Sequence, residues 1–299
     1  MTAVVTPLPH RPAQRSGRLY LRRFVRNRGA VLGVALFVAL VLFGLLGGLF
    51  SPFSPTDVDF TALTQAPSAV HPFGTDQGGN DVYAEAVHGL RRSLVIAVSV
   101  SVLTVVLAAV IGAGAAYLGG RVERLTLAVI HFLLVVPSFL VLALVSHRLA
   151  GDWRVLILVL TVFGWMTTAR VVWSLSTSLR ERDYVLAAEF MGVRPWRIVL
   201  RHIIPNLGSL LVVNLTLGVV ATVLSETALS FLGFGVQTPD VSLGTMLADG
   251  AGTISSAPWL FAFPAGLVVL LTVSMTLIGD GLRDALDPTS VSAASGGAR

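Results

Sequence analysis

Residues 183–205, DYVLAAEFMGVRPWRIVLRHIIP, form the longest amphipathic run in a chain that otherwise consists of apolar blocks. Two stripes recur in it at helical spacing: Tyr184, Ala187, Ala188 and Met191, and then Trp196, Val199, Leu200 and Ile203. Gly192 lies between the stripes, where a left-handed residue would close the first helix, and Pro195 suits the first turn of a second one. Pro205 is predicted to end the run. The segment therefore predicts two short helices that meet at a bend.

The composition around this segment is that of a membrane protein. Of the 299 residues, 54% are hydrophobic and only 12% are charged, which is far from the composition of a soluble globular domain. The absence of cysteine excludes disulfides, thiolate metal sites and cysteine nucleophiles. All 21 basic residues are arginines, and they lie mainly beside apolar blocks, as topology signals do. Membrane lipid, and not nucleic acid, is therefore the predicted surrounding of the chain.

Six apolar blocks are long enough to cross a bilayer. Residues 30–50 contain no charge, and at about 1.5 Å per residue they would cross a hydrocarbon core of roughly 30 Å. The other blocks contain only two formal charges, Arg170 and Glu226. Blocks this long and apolar can satisfy their backbone in lipid only as helices, so the predicted fold is all-α with six transmembrane helices. The five further blocks are 93–118, 125–146, 155–173, 206–235 and 258–279.

The arginines also predict an orientation. If the N-terminus is cytoplasmic, the inner segments carry 16 arginines and the outer segments carry 4. Both termini and the bend at 183–205 would then face the cytoplasm. The predicted division is a cytoplasmic basic tail and lead-in at 1–29, disordered to about residue 17, an N-terminal transmembrane helix at 30–50, an extracytoplasmic loop at 51–92, a five-helix core at 93–282, and a cytoplasmic tail at 283–299.

The bend carries a resemblance to the EAA signature of ABC importer permeases. That signature reads EAA, three residues, Gly, nine residues and I-x-L-P, and the matching residues here are Ala187, Ala188, Gly192, Ile204 and Pro205. Gly192 and Pro205 keep the family's spacing of 13 residues. Leu186 stands in place of the Glu, and His202 in place of the first Ile. The stretch from Tyr184, YVLAA, resembles the YVxAA of the dipeptide, oligopeptide and nickel branch.

Further segments extend this resemblance from about Leu19 to Pro288. They are RRFVRNRGAVLG at 22–33, which resembles the start of the branch's second permease subunit, HPFGTD at 71–76, ALSFLGFGVQTP at 228–239, SLGTMLADG at 242–250 and GDGLRDALDP at 279–288. Ser242 and Leu243 stand where the branch usually has Trp. The resemblance implies a type I ABC importer permease fold in the cell membrane.

The same resemblance implies a subunit that works with partners. These are a second homologous permease, two ATP-binding ATPase subunits or domains that hold ATP and Mg, and an extracytoplasmic substrate-binding protein. The sequence contains no GxxxxGK[ST] loop and no Ser-His-Asp or metal-ligand constellation with supporting spacing, so the chain itself is predicted to bind no cofactor and not to be an enzyme. The residues expected to couple it to the ATPases are Tyr184, Ala187, Ala188, Gly192, Trp196, Ile204 and Pro205. The expected cargo is a dipeptide or oligopeptide, with nickel or another small solute as the alternative.

Three polar side chains inside the spans are candidates for the pathway or for a subunit interface. A buried carboxyl in lipid is costly, so Glu226 is a site candidate; the alternative is that it caps or pairs with arginine or backbone in a wet end of the bundle. Asn214 lies in the same span. His131 is either packed against a helix or part of a proton relay. A proton-coupled secondary transporter using Glu226 and His131 therefore remains the second hypothesis, while an intramembrane enzyme would need paired catalytic groups.

Pro137 is predicted to kink the helix of the block 125–146.

The outer loop contains HPFGTDQGGND at 71–81, a stretch rich in turn residues. Asp76 is predicted to form an Asx-turn or to cap the next element of the chain. His71 and Asp76 could suggest a metal site, but no further ligand spacing accompanies them, so no metal site is predicted. The two residues are instead candidates for a surface on which the substrate-binding protein docks. The small residues of block 93–118 are a candidate contact with the second permease.

Overall fold

The computed structural model describes residues 16–148, 151–237 and 239–286, and these are helical apart from loops and two isolated β-bridges. The α-helices are α1 Ser16–Arg26, α2 Arg28–Leu46, α3 Val82–Leu118, α4 Gly120–Val135, α5 Ser138–Arg148, α6 Trp153–Arg180, α7 Asp183–Phe190, α8 Pro195–Ile198, α9 Gly208–Phe231, α10 Leu243–Ala251 and α11 Trp259–Leu286. A 3₁₀ turn, Gly47–Leu49, follows α2. The all-α prediction is confirmed.

Five helical stretches are long and apolar enough to span a membrane, and α4 with α5 makes a sixth when the bent pair is counted as one span. The five are Arg28–Leu49, Val82–Leu118, Trp153–Arg180, Pro195–Phe231 and Trp259–Leu286. At Pro137 the helix breaks, and α4 and α5 form an angle of 74°. The sequence predicted only a kink at this position. Proline has no N–H to donate and its ring opposes the preceding turn, which explains why α4 ends at Val135 and α5 begins at Ser138.

Several boundaries differ from the predicted ones because charged residues that end an apolar block do not end a helix. α3 begins at Val82 and not at residue 93, so the predicted loop 51–92 is a loop only as far as Asp81. Asp81 starts the helix by accepting a hydrogen bond from the Ala84 N–H at 2.7 Å. α1 occupies most of the lead-in, and α10 was not predicted. Residues 1–15 and 287–299, which hold much of both predicted tails, lie outside the described residues.

α3 is the central helix of the bundle, and its small residues pack against α6. A Cβ atom on Gly112 would lie 2.6 Å from the Ala169 carbonyl oxygen, so only glycine fits at this crossing. Gly112 and the buried alanines beside it are therefore covered within the chain, whereas a Cβ atom on Gly114 would meet nothing within 4 Å. Contact of this helix with a second permease stays a prediction.

α9 lies antiparallel to α3, and this arrangement separates the two ends of the molecule. Ser93, near the start of α3, donates to Glu226, near the end of α9. Ser101, which is later in α3, donates to the carbonyl of Leu215, which is earlier in α9. At the far end of α3, Tyr117 packs with residues of the bend at 183–205. The bend and the loop that precedes α3 consequently lie at opposite ends of a helix of 37 residues, about 55 Å long.

Candidate functional site

The bend at 183–205, hereafter the elbow, has the predicted glycine turn. Gly192 adopts a φ of 74°, in the left-handed region. The Val193 N–H bonds the Ala188 carbonyl at 3.1 Å and the Gly192 N–H bonds the Glu189 carbonyl at 2.9 Å, the pair of bonds that defines a Schellman ending. Pro195 occupies the first turn of α8. Glycine and proline thus set the angle between α7 and α8, as the sequence indicated.

Pro205 does not end the elbow, contrary to the prediction. α8 continues through a π-helical turn, Val199–Ile203, and a 3₁₀ turn, Ile204–Leu207, directly into α9. In the π turn the Ile204 N–H bonds the Val199 carbonyl, five residues back. This change of period gives room to a proline that cannot donate to the preceding turn, so the helix passes through Pro205 instead of stopping there. The elbow and the long helix α9 are therefore one continuous helical stretch.

The buried side of the elbow differs from the predicted stripes. Val185 and Ala188 are 0% and 2% exposed, whereas Tyr184, Ala187 and Met191 from the predicted first stripe are exposed. In the second part Ile198, Val199 and Ile203 are buried, and Trp196 and Leu200 are exposed. α7 has apolar residues on both sides, so its packing selects the buried one. In the second part the prediction assumed a period of 3.6, and the π turn changes the register from Val199 onward. Ile204 is half-buried beside this cluster, and Pro205 is exposed.

The other side of the elbow is an apolar patch that no part of the described chain covers. We call it the elbow surface: Tyr184, Leu186, Phe190, Met191, Trp196 and Leu200. Phe190 and Met191 are the most open, at 89% and 75% exposed. Exposed arginines flank the patch, and the Arg197 guanidinium carbon lies 5.2 Å from the centre of the Trp196 ring. Several exposed large apolar side chains beside exposed charges are typical of a surface that binds another protein.

A second feature is a cavity of about 630 Å³ between α3, α5, α6 and α9. Its polar lining consists of hydroxyls and one amide, from Thr104, Ser138, Thr167, Thr168, Asn214, Thr222 and Ser225. No formally charged side chain is among the lining residues. The rest of the lining is apolar. A cavity of this kind can hold a solute through neutral hydrogen bonds while giving no charge for it to pair with.

The three intramembrane candidates do not lie together. Asn214 lines the cavity, and its side-chain amide also donates to the Leu210 carbonyl at 2.9 Å. Glu226 is 1% exposed and lies between helices, away from the cavity lining. His131 is exposed on α4 and is not a lining residue. Among the described residues, the hydrogen-bond partners of Glu226 are serines and not His131. Neither Glu226 nor His131 lines the cavity.

At the opposite end of the molecule, the loop before α3 is held by its own side chains. His71 is buried, and its Nδ1 lies 2.7 Å from the Asp81 Oδ2. A docked protein would not reach the His71 side chain, so this docking candidate does not fit the structure. Asp76 accepts from the Asn80 N–H at 2.7 Å and from the Asn80 side chain at 2.9 Å. The residue that caps α3 is Asp81, which the sequence analysis did not select.

Asp240 and Asp249 are two of the carboxyl groups near this end that have shifted pKa values. Burial alone would raise the pKa of Asp240, but hydrogen bonds from His88 and Arg92 outweigh it and lower the pKa below its ordinary value. The Arg92 Nη2 lies 2.7 Å from Asp240. Burial, and then the nearby Asp76 carboxyl, raises the pKa of Asp249. This end of the protein therefore combines a paired carboxylate with a crowded acidic region.

We expect Asp81→Ala to destabilise the protein by about 2–4 kcal/mol. The substitution removes the cap of α3, which contributes about 1 kcal/mol, and leaves His71 buried without its partner, which costs about 1–3 kcal/mol. Thermal unfolding of the detergent-solubilised protein would measure the loss. Asp57→Ala is the matched control, because Asp57 accepts one exposed backbone hydrogen bond, and we expect it to cost less than about 1 kcal/mol. Equal losses for both variants would contradict this reading.

Comparison with known proteins agrees with this architecture. Residues 91–290 match the family described as binding-protein-dependent transport system inner membrane component. Residues 17–67 match the N-terminal transmembrane domain of oligopeptide transport permease C.

Individual relatives extend over nearly the whole chain. The oligopeptide transport system permease protein OppC of Mycobacterium tuberculosis (strain H37Rv) is 44% identical over 274 residues, covering 91% of this chain and 94% of the relative. The dipeptide transport system permease protein DppC of Bacillus subtilis is 35% identical over 269 residues, covering 89% and 84%. Because the family match covers most of the helical bundle, including the elbow and the cavity, the resemblance seen in the sequence is confirmed: the chain is an integral membrane protein and belongs to the inner membrane components of binding-protein-dependent transport systems.

Proposed function

We propose that this chain is a permease subunit of an ATP-driven importer of dipeptides or oligopeptides. Its relatives include permease proteins named for oligopeptide and dipeptide transport. In this proposal the elbow and both termini face the cytoplasm, in agreement with the excess of arginines on that side. The chain supplies half of a translocation pathway, a second permease supplies the other half, and two ATPase subunits that hold ATP and Mg supply the energy.

One observation supports the proposal most directly: the elbow surface and a wall of the cavity belong to the same helical stretch. Pro195–Phe231 runs without interruption from Trp196 on the elbow surface to the cavity residues Asn214 and Ser225. A partner that binds the elbow surface and moves it would therefore move that wall. Rigid elements of this kind can convert closure of an ATPase pair into alternate opening of a pathway.

The lining of the cavity favours peptides over the nickel alternative. Peptides with different side chains share a backbone of neutral N–H and C=O groups, which hydroxyls and the Asn214 amide can bond without selecting a side-chain charge. Ni²⁺ would instead need imidazole, thiolate or carboxylate ligands, and none of these is among the lining residues. Solute selection would then fall to the substrate-binding protein outside.

That binding protein is proposed to dock on the outer end of the bundle, on the loop that contains Asp76. Asp76 is partly exposed there, whereas His71 is not. A crosslinker placed at Asp76 should capture the binding protein only when the assembled importer is present. Crosslinking at other outer positions without any at Asp76 would remove this loop from the docking surface.

The experiment that tests the function is uptake into proteoliposomes containing this chain, its partner permease and the ATPases, with the binding protein added outside. We expect ATP-dependent accumulation of dipeptides or oligopeptides and none of nickel. Accumulation driven by a proton gradient in vesicles that contain this chain alone would contradict the proposal and support a secondary transporter. Glu226 is buried with serine hydroxyls as its partners, and His131 is exposed on α4, which speaks against a relay between those two residues.

A further inference from the structure

Glu226 is the centre of a hydrogen-bond network that the transport path described above does not use. Its Oε2 accepts from the Ser93 hydroxyl at 3.1 Å, and its Oε1 accepts from the Ser230 hydroxyl at 2.8 Å. Each hydroxyl in turn accepts a backbone N–H, that of Leu243 at Ser93 and that of Val236 at Ser230, both at 3.3 Å. Two hydrogen-bond relays, each running from a backbone N–H through a serine hydroxyl, therefore end at the single buried carboxyl group of Glu226.

These hydrogen-bond relays connect the start of α10, and the segment that leads to it, to α3 and α9. Val236 lies between α9 and α10, and Leu243 is the first residue of α10. The packing around them leaves no space: a Cβ atom on Gly244 would lie 2.7 Å from the Ser230 Cβ and 2.9 Å from the Thr227 Cα. The start of α10 is thus held against α9 by contact, and the hydrogen bonds to Glu226 define its position.

α10 also reaches the outer end of the protein. Met246 and Asp249 of this helix line a cavity of about 200 Å³ together with Asp76 and Gln77 of the loop before α3. α9, which contains Glu226, is continuous with the elbow. Glu226 therefore lies where the helix that leads from the elbow meets the helix that leads to the outer surface.

We propose that Glu226 is a positioning residue that makes α10 follow the movement of α9, and so links the elbow to the outer docking surface. This inference rests on the proposed function. With an apolar side chain in its place, both serine hydroxyls would lose their acceptor, and the relays to Val236 and Leu243 would no longer converge. Binding of the loaded binding protein outside would then stimulate the ATPases less, although the ATPases themselves stay bound.

The test compares Glu226→Gln with Glu226→Leu in the complete importer. The readout is the ratio of ATPase activity with the loaded binding protein to basal activity without it. Gln keeps the size of Glu and one acceptor oxygen, so we expect its ratio to stay within about threefold of the original. We expect Leu to lower the ratio by about tenfold with basal activity unchanged, within the range of roughly 5- to 150-fold that coupling between sites usually spans. A purely structural role would instead lower assembly and basal activity together.

A second variant keeps the test decisive if Glu226→Leu does not assemble. Ser93→Ala with Ser230→Ala removes both relays and almost no volume, and we expect the same fall in the ratio. Ser101→Ala is the matched control, because Ser101 is also a buried serine of α3 that bonds α9, at the Leu215 carbonyl, but has no link to α10. Its ratio should not change.

An unchanged ratio in Glu226→Leu or in the double serine variant would overturn the inference, as would an equal fall in Ser101→Ala. Loss of assembly in both Glu226→Leu and the double serine variant would assign Glu226 to folding alone and would also overturn it. These failures are distinct from failure of the proposed function, which would appear as ATP-independent uptake by the unaltered importer.

Discussion

Phe190→Asp is expected to release the proposed ATPase subunits from this chain and to lower ATP-driven uptake at least about tenfold. Phe190 is 89% exposed at the tip of α7, on an apolar patch that the described part of the chain leaves uncovered. Burying a phenylalanine in a partner contributes about 1.5–3 kcal/mol, and about 1.4 kcal/mol corresponds to a tenfold change in affinity. An aspartate at the same place forfeits that contribution and adds a charge that would be buried without a partner.

Copurification of the ATPases with tagged permease measures this effect, and uptake in proteoliposomes gives its consequence. Phe60→Asp is the matched control, since Phe60 is 80% exposed in the loop before α3 at the opposite end of the molecule. That variant should retain the ATPases fully, whatever it does to docking outside. Normal ATPase recovery with Phe190→Asp would show that the elbow surface is not the contact.

Gly192→Val is expected to reduce uptake about tenfold while the complex stays assembled. Nothing lies within 4 Å of the position where a Cβ would be, so the added side chain meets no neighbour. The whole effect comes from the φ of 74°, which a β-branched residue adopts only with strain of about 1–3 kcal/mol. The elbow would relieve that strain by changing the angle between α7 and α8, and the partner contact would change with it.

Two companion variants separate backbone strain from side-chain size. Asn tolerates the left-handed region, so Gly192→Asn should keep uptake within about threefold of the original. Gly208→Val adds the same side chain at a glycine that also has open space but a φ of −53°, and it should change uptake by less than about twofold. Equal losses for Gly192→Asn and Gly192→Val would show that the left-handed angle is not what matters at this position.

Much of this protein could be predicted from local patterns. Apolar blocks long enough to cross a bilayer predicted the spanning helices, because lipid offers the backbone no other partner. Gly192 and Pro195 predicted the bend, because their effects on φ and on the first helical turn act within one or two residues. The spacing from Gly192 to Pro205 pointed to the family, which the comparisons confirmed.

Where a helix faces, and which distant residues meet, depended on the tertiary structure. The stripe that contains Ala188 did not reveal that Ala188 turns inward while Phe190 stays open, because a two-turn helix presents apolar residues on both sides and only its packing decides between them. Glu226 could be identified as unusual, but its bond to Ser93 joins residues 133 positions apart. The sequence by itself determined the membrane-spanning stretches and the turn at Gly192, because those follow from neighbouring residues. Only the packing of α3, α9 and α10 decided what Glu226 holds together, because that contact exists only once separate helices are assembled.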